Sequence, residues 1–236
     1  ALDEIVRTSG FDEFLMAVGD HELGDNPWPI GSEAPETLPY LRQGFANHLS
    51  LWEPGGTTRF NKPIGSVPAT PIGTPYENTS NAIQFKNVLF VTLDVFRYDG
   101  PDEIIGDEGL VCGDLTGKHL RWFRRILDAA QQIPSIDHVI VQAHLPVIYP
   151  VRKYASSGML MSGTTDNNLM KSMREFNVDL YLAGEVHMNT VTKDPDSNVV
   201  QFVGRGNNLT NYAVIEVHKE RLEIVSYKDD GTRLGA

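Results

Sequence analysis

A single cysteine, Cys112, is all the thiol that 236 residues provide. An internal disulfide is therefore excluded, and no thiolate set for a soft metal exists. Basic residues are also short, with 20 Lys and Arg against 31 Asp and Glu for a formal net charge of -11. Such a balance supplies no cationic surface to neutralise phosphates, so neither nucleic acid nor an anionic membrane is expected as a partner. No apolar run approaches bilayer-spanning length. The chain opens on Ala1 and not Met, so a processed or incomplete amino terminus is expected. The cellular compartment stays open.

What is present reads as globular, with 41% hydrophobic and 9% aromatic residues. The length suits one domain, taken as 1–236, with material for a sizeable core. Segment 25–80 holds nine of the fourteen prolines and six glycines. That density breaks regular structure, so a long loop insertion is expected there, with one helix from Leu38 to about Leu51. Residues 2–9 read as the end of a helix stopped by Gly10. Asn81 to Phe96 reads as two strands around Lys86-Asn87.

Thr116 begins a helix to about Gln132 whose apolar face is Leu120, Phe123, Leu127 and Ala130. A second helix starts near Asp166, with the stripe Leu169, Met170, Met173 and Phe176, and Asn177 suits its left-handed close. Strands are expected at 14–18, 138–143, 178–183, Val199–Val203, Tyr212–Val217 and Leu222–Tyr227, the last two joined as a hairpin. Mixed helices and strands ending in an all-strand tail indicate a layered α/β sandwich.

Three of the strand-like runs end in residues able to bind a metal or move a proton. Phe14 to Val18 runs into Gly19-Asp20-His21-Glu22. The 138–143 run leads into His144-Leu145-Pro146, and 178–183 leads into Gly184-Glu185-Val186-His187. Sites in layered α/β folds gather beyond the carboxyl ends of strands, so the three endings are expected to meet. Glu185 and His187 share a side if the chain stays extended there. Glu216-Val217-His218 has the same spacing on an expected exposed hairpin, so spacing alone is a weak signal. His48, His119, His138 and His218 are read as structural or exposed. Oxygen and imidazole donors suit manganese, iron, zinc or magnesium.

The ordered set of motifs resembles the calcineurin-like metallophosphoesterase superfamily, which includes the purple acid phosphatases. The shared order comprises a Gly-Asn-His-Glu/Asp-type turn, a strand like Val88–Asp94 and a helix with a Trp-Leu-like pair at Trp122-Phe123. His-x-Pro at His144, a Gly-His-x-His-type ending at Gly184–His187 and closing strands follow. The resemblance implies a four-layer α/β/β/α sandwich, and this chain corresponds to the carboxyl-terminal three-quarters of that domain, amino-terminally incomplete. It implies a metal centre that hydrolyses phosphoric esters. By position, Asp20, His144, Glu185 and His187 match metal ligands, and His21 matches the histidine that protonates the leaving group or steadies the phosphoryl oxygens.

Asp20 and Glu185 stand where the family has Asn and His. They keep ligating ability but add negative charge, which repels phosphate dianions and favours harder cations. The family's Asp-x-His and Gly-Asp-x-x-Asp motifs are both missing, so a complete binuclear centre is not expected. Three readings follow. The chain is a piece of an active phosphoesterase, a family member acting as a binding or interaction module, or a one-metal hydrolase on Asp20, His144 and Glu185. A small phosphorylated substrate is the expected partner. Exposed sheet edges in an incomplete sandwich make a homodimer the expected assembly. Trp28, Tyr149 and Arg152 are candidates for substrate contact.

Overall fold

Lys86 and Asn87 reverse the chain between two apolar runs, Lys86 taking a left-handed conformation with φ 53°. The result is an antiparallel pair, β1 (Asn81–Phe85) and β2 (Val88–Thr92), in register from Asn81↔Thr92 to Phe85↔Val88. The computed structural model describes residues 8, 10, 15–23, 34–52, 62–97, 112–151, 161, 163–206 and 211–235.

Four strands are parallel: β2, β5 (His138–Gln142), β6 (Leu180–Ala183) and β8 (Val200–Val203). Strand β7 (Thr190–Lys193) joins antiparallel to β8, giving a six-stranded sheet in the order β1-β2-β5-β6-β8-β7. A two-residue ribbon, β3 (Phe96–Arg97) with β4 (Cys112–Gly113), continues beyond β2. A second, antiparallel sheet holds β9 (Asn211–Val217), β10 (Leu222–Lys228) and β11 (Arg233–Gly235) in the order β11-β10-β9.

Successive residues of the parallel strands point to opposite faces. Leu89, Val91, Val139, Val141 and Tyr181 face the helices, in the same core as Phe123, Ile126, Leu127, Leu169, Met170 and Met173. The helices concerned are α2 (Gly117–Gln131) and α3 (Asn168–Glu175), preceded in the chain by α1 (Leu38–Trp52). Val88, Ile140, Leu180 and Phe202 face the second sheet and pack on Ile215, Val217, Leu222 and Ile224. Helices, large sheet and small sheet are thus three consecutive layers of the expected sandwich. Among the described residues no helix is long and apolar enough to cross a membrane.

The expected ends of α3 are observed: the Asn167 side chain accepts the Met170 N–H at 2.8 Å, and Asn177 closes it at φ 52°. Thr116 starts α2 without a side-chain cap bond. One expectation is corrected. Residues 15–19 form no strand, although Val18 is fully buried. The reason is topological: β2, β5, β6 and β8 already have a partner on each side, so this run has no interior place in the ladder. Of the helix expected over residues 2–9, Thr8 is helical and Gly10 has φ 74°; the rest lies outside the described residues.

The expected loop over 25–80 contains α1, a 3-10 turn over Ala34–Thr37 and a series of turns over 62–80. Arg42 of α1 ties this segment to the sheet. Its Nε donates to Asp94 Oδ2 at 2.7 Å and its Nη2 to the Phe96 carbonyl at 2.6 Å. Thr79 Oγ1 also donates to Asp94, at 2.8 Å. The buried carboxylate is therefore fully engaged.

Candidate metal centre

Strands β5 and β6 are parallel neighbours, so the residues that follow them emerge at one rim. His144 stands two residues past β5 and Glu185 two past β6. The Gly184 N–H donates to the His144 carbonyl at 2.8 Å, which clamps the two turns together. Asp20 arrives from the separate turn Asp20–Leu23, where the Leu23 N–H donates to the Asp20 carbonyl at 3.0 Å. Gly19 is required by closeness: a Cβ there would lie 3.0 Å from His144 Nδ1 and 2.8 Å from Glu22 Oε2.

The result is a convergent donor set. His144 Nε2 lies 3.0 Å from Glu185 Oε2 and 2.9 Å from Asp20 Oδ1. All three ligand atoms fall within 4.8 Å of one another. Asp20 and Glu185 are buried and His144 is half-buried, with the Phe96 ring 6.1 Å away as a tilted neighbour. Burial alone would depress the His144 pKa, yet contact with Asp20 and Glu185 and their charge push it up to about 9. Burial likewise opposes ionisation of Asp20, but contact with His144 and its charge, then that of His21, hold its carboxyl below the ordinary carboxylate range.

The His144 loop has its own supports. Buried Gln201 accepts the Val147 and Ile148 N–H groups at 2.7 and 2.9 Å and donates to the Ile148 carbonyl at 2.9 Å. Tyr181 donates its hydroxyl to the Leu145 carbonyl at 2.6 Å, and burial raises its pKa. Sequence reading missed both residues. A glutamine inside Val199–Val203 was the available signal, because a polar group in a buried strand needs partners.

These residues fit a single divalent cation. The Nε2–H of His144 is directed to Glu185, so Asp20 Oδ1, buried 2.9 Å from the same nitrogen, is paired with it by proximity and charge but has no aligned hydrogen-bond donor among the described residues. One nitrogen and two carboxylates are the donor types that manganese, iron, zinc or magnesium accept. Binding such an ion would require His144 Nε2 to be deprotonated, its proton being released to solvent.

The other sequence candidates are placed as follows. His21 is exposed on the turn immediately after Asp20. His187 stands outside the three-residue cluster; its Cδ2 would lie 3.4 Å from a Cβ at Gly206. The chain does not stay extended here, since Glu185 and His187 have φ of 60° and 52°. Tyr149 is exposed at 43%, and Trp28 and Arg152 lie outside the described residues. Glu216, His218 and Glu223 also approach one another on the exposed β9–β10 hairpin, but Arg221 already pairs with Glu223. His119 is buried and stacked on Tyr76, with ring centroids 4.3 Å apart.

No protein-family model matches the sequence, and no curated protein matches it. Solved structures do match. Purple acid phosphatase PPD1 from yellow lupin (Lupinus luteus) seeds superposes with a TM-score of 0.53 at 13% identity, covering 93% of this chain and 39% of that one. A dimetal phosphatase from Danio rerio matches with a TM-score of 0.46 at 16% identity, covering 66% of this chain and 60% of that one. PhoD matches with a TM-score of 0.47 at 13% identity, covering 92% of this chain and 54% of that one. This chain spans less than two thirds of each. The likeness to the lupin enzyme shows that the fold is metallophosphoesterase-like.

Proposed function

We propose that this chain holds one divalent cation between Asp20, His144 and Glu185 and hydrolyses a phosphoric ester beside it. The observation that supports the reading is the convergence of these three side chains, from three separate turns, around a buried carboxylate oxygen that has no aligned hydrogen-bond donor among the described residues. Three protein ligands with a remaining open position is a workable catalytic pattern. A cation bound there supplies charge for the phosphoryl oxygens and acidifies a bound water.

The chain's own residues carry the rest. Asp20 and Glu185, both within 3.0 Å of His144 Nε2, would hold the cation together with that nitrogen, and the Gln201 and Tyr181 bonds support the loop that follows His144. His21, exposed beside Asp20, is proposed to protonate the leaving oxygen, a task suited to an imidazole near neutral pH. The buried wall of Phe96 limits water on one side.

A second reading, a catalytically silent binding module, is favoured by one observation. Two carboxylates in the ligand set put negative charge where a phosphate dianion must approach. Turnover of phosphate monoesters and diesters by the manganese- or zinc-loaded chain decides between the two. Hydrolysis that disappears in Glu185→Gln supports the enzyme. A folded, metal-loaded chain without turnover leaves the binding module.

A further inference from the structure

We propose that Arg205 is the phosphate-recognising cation of this site, an assignment that rests on the hydrolase reading above and names the group that admits its substrate. Position carries the first part of the argument. The four parallel strands end at Thr92, Gln142, Ala183 and Val203. Two residues beyond each end stand Asp94, His144, Glu185 and Arg205. The pairings Thr92↔Gln142, Gln142↔Leu182 and Ala183↔Val203 bring these post-strand residues to the same rim of the sheet.

Local contacts fix the turn further. The Gly204 N–H donates to the Ala183 carbonyl at 2.9 Å, so the ladder continues one residue past β8 on the side of the Glu185 turn. Gly206, at φ 86°, lies against the His187 ring. The Gly204-Arg205-Gly206 turn therefore runs alongside Ala183–His187, which carries Glu185.

The state of Arg205 itself is the second observation. Its Nε is enclosed yet has no hydrogen-bond partner among the described residues. Among the described residues it makes no ion pair, whereas Arg42 pairs with Asp94, Arg124 with Glu175 and Arg174 with Asp194. An enclosed guanidinium N–H without an acceptor carries an unmet desolvation cost, so this side chain is not committed to any acceptor of the described fold. Asp20 and Glu185 meanwhile give the site two negative charges, and a phosphate dianion adds two more. One divalent cation does not balance that sum. A guanidinium supplies a further positive charge in a fork that matches two phosphoryl oxygens.

The test uses the full-length chain loaded with manganese and the variants Arg205→Gln and Arg205→Lys. Metal content and thermal midpoint are expected to equal those of the parent, because Arg205 has no hydrogen bond or ion pair among the described residues. Affinity for inorganic phosphate, read by calorimetry, is expected to fall about 10- to 100-fold in Arg205→Gln and less in Arg205→Lys. KM for an aryl phosphate monoester is expected to rise by a similar factor, and KM for a diester, which carries one charge fewer, by less.

Unchanged phosphate affinity and unchanged KM in Arg205→Gln would overturn the assignment while leaving the hydrolase reading intact. Loss of the fold or of the metal would overturn it as well, since Arg205 would then serve the scaffold. A parent chain that does not bind phosphate overturns it too. Arg205-dependent phosphate binding without turnover would sustain it and remove hydrolysis instead.

Discussion

The main chain at Gly19 runs so close to the His144 imidazole that a methyl group at Gly19 would sit 3.0 Å from Nδ1. The absent side chain thus sets the position of the central ligand. Gly19→Ala is expected to displace the ring and weaken metal binding about 10-fold, the size of effect that misplaced ligand supports produce. Competition against a fluorescent chelator measures it, and unaltered affinity would show that the ring has room to spare.

Gln201 satisfies three backbone groups of the loop that follows His144. Gln201→Leu fills a similar volume but strands Val147 N, Ile148 N and Ile148 O. Each stranded group costs about 1–3 kcal/mol. Urea denaturation is expected to show a loss of several kcal/mol, together with weakened metal binding. A loss below about 1 kcal/mol would mean that the loop is held by Tyr181 alone.

Arg42 and Asp94 form a buried pair, the carboxylate being fully enclosed. Removing one partner of such a pair typically costs about 3–5 kcal/mol. Arg42→Met is expected to lose stability on this scale, and Asp94→Asn in the same chain is expected to recover part of it. A double-mutant cycle by denaturant unfolding gives the coupling, and additive effects would contradict the pairing.

His119 offers a pH signature. Burial depresses its pKa to about 4, the Asp94 charge opposing and the Arg42 charge assisting that shift. The unfolded chain titrates this ring near 6.5, so between about 6.5 and 4 the unfolded state binds the extra proton. The contribution is complete above pH 6.5 and shrinks as pH falls toward 4, by on the order of 3 kcal/mol in total. His119→Phe is expected to flatten the stability curve over that interval, measured by urea unfolding at pH 7 and pH 5. Equal slopes in both proteins would contradict the assignment.

How far the fold was legible follows from burial. The runs at 138–143 and 178–183 are largely apolar because β5 and β6 are covered on both faces, which is what a central parallel strand requires. Asn177 advertised its turn through a residue that tolerates left-handed backbone, whereas at 86–87 it is Lys86, not Asn87, that takes that conformation. The run at 14–18 carried the same apolar signal, but pairing is a property of the neighbours, and no interior slot was free. Strand β7 escaped because an edge strand alternates Thr190, Val191, Thr192 and Lys193 with half its surface in water.

The site was legible in part for the same reason. His144 and Glu185 follow strands, and position past a strand end can be read from sequence. Their partnership with Asp20 depends on a turn that joins no ladder. Glu185 and His187 were expected to share a side in an extended chain. Left-handed backbone at both residues turns that segment, and His187 lies against Gly206 instead. Gln201 and Tyr181 act through contacts between distant segments, which no local pattern records.

The most direct test is elemental analysis of the purified chain after equilibration with manganese or zinc and removal of excess, repeated on His144→Ala. The geometry of Asp20, His144 and Glu185 predicts about one equivalent of metal in the parent and none in the variant. A metal-free parent, or a variant that keeps its metal, would contradict the assignment of this cluster as the metal centre.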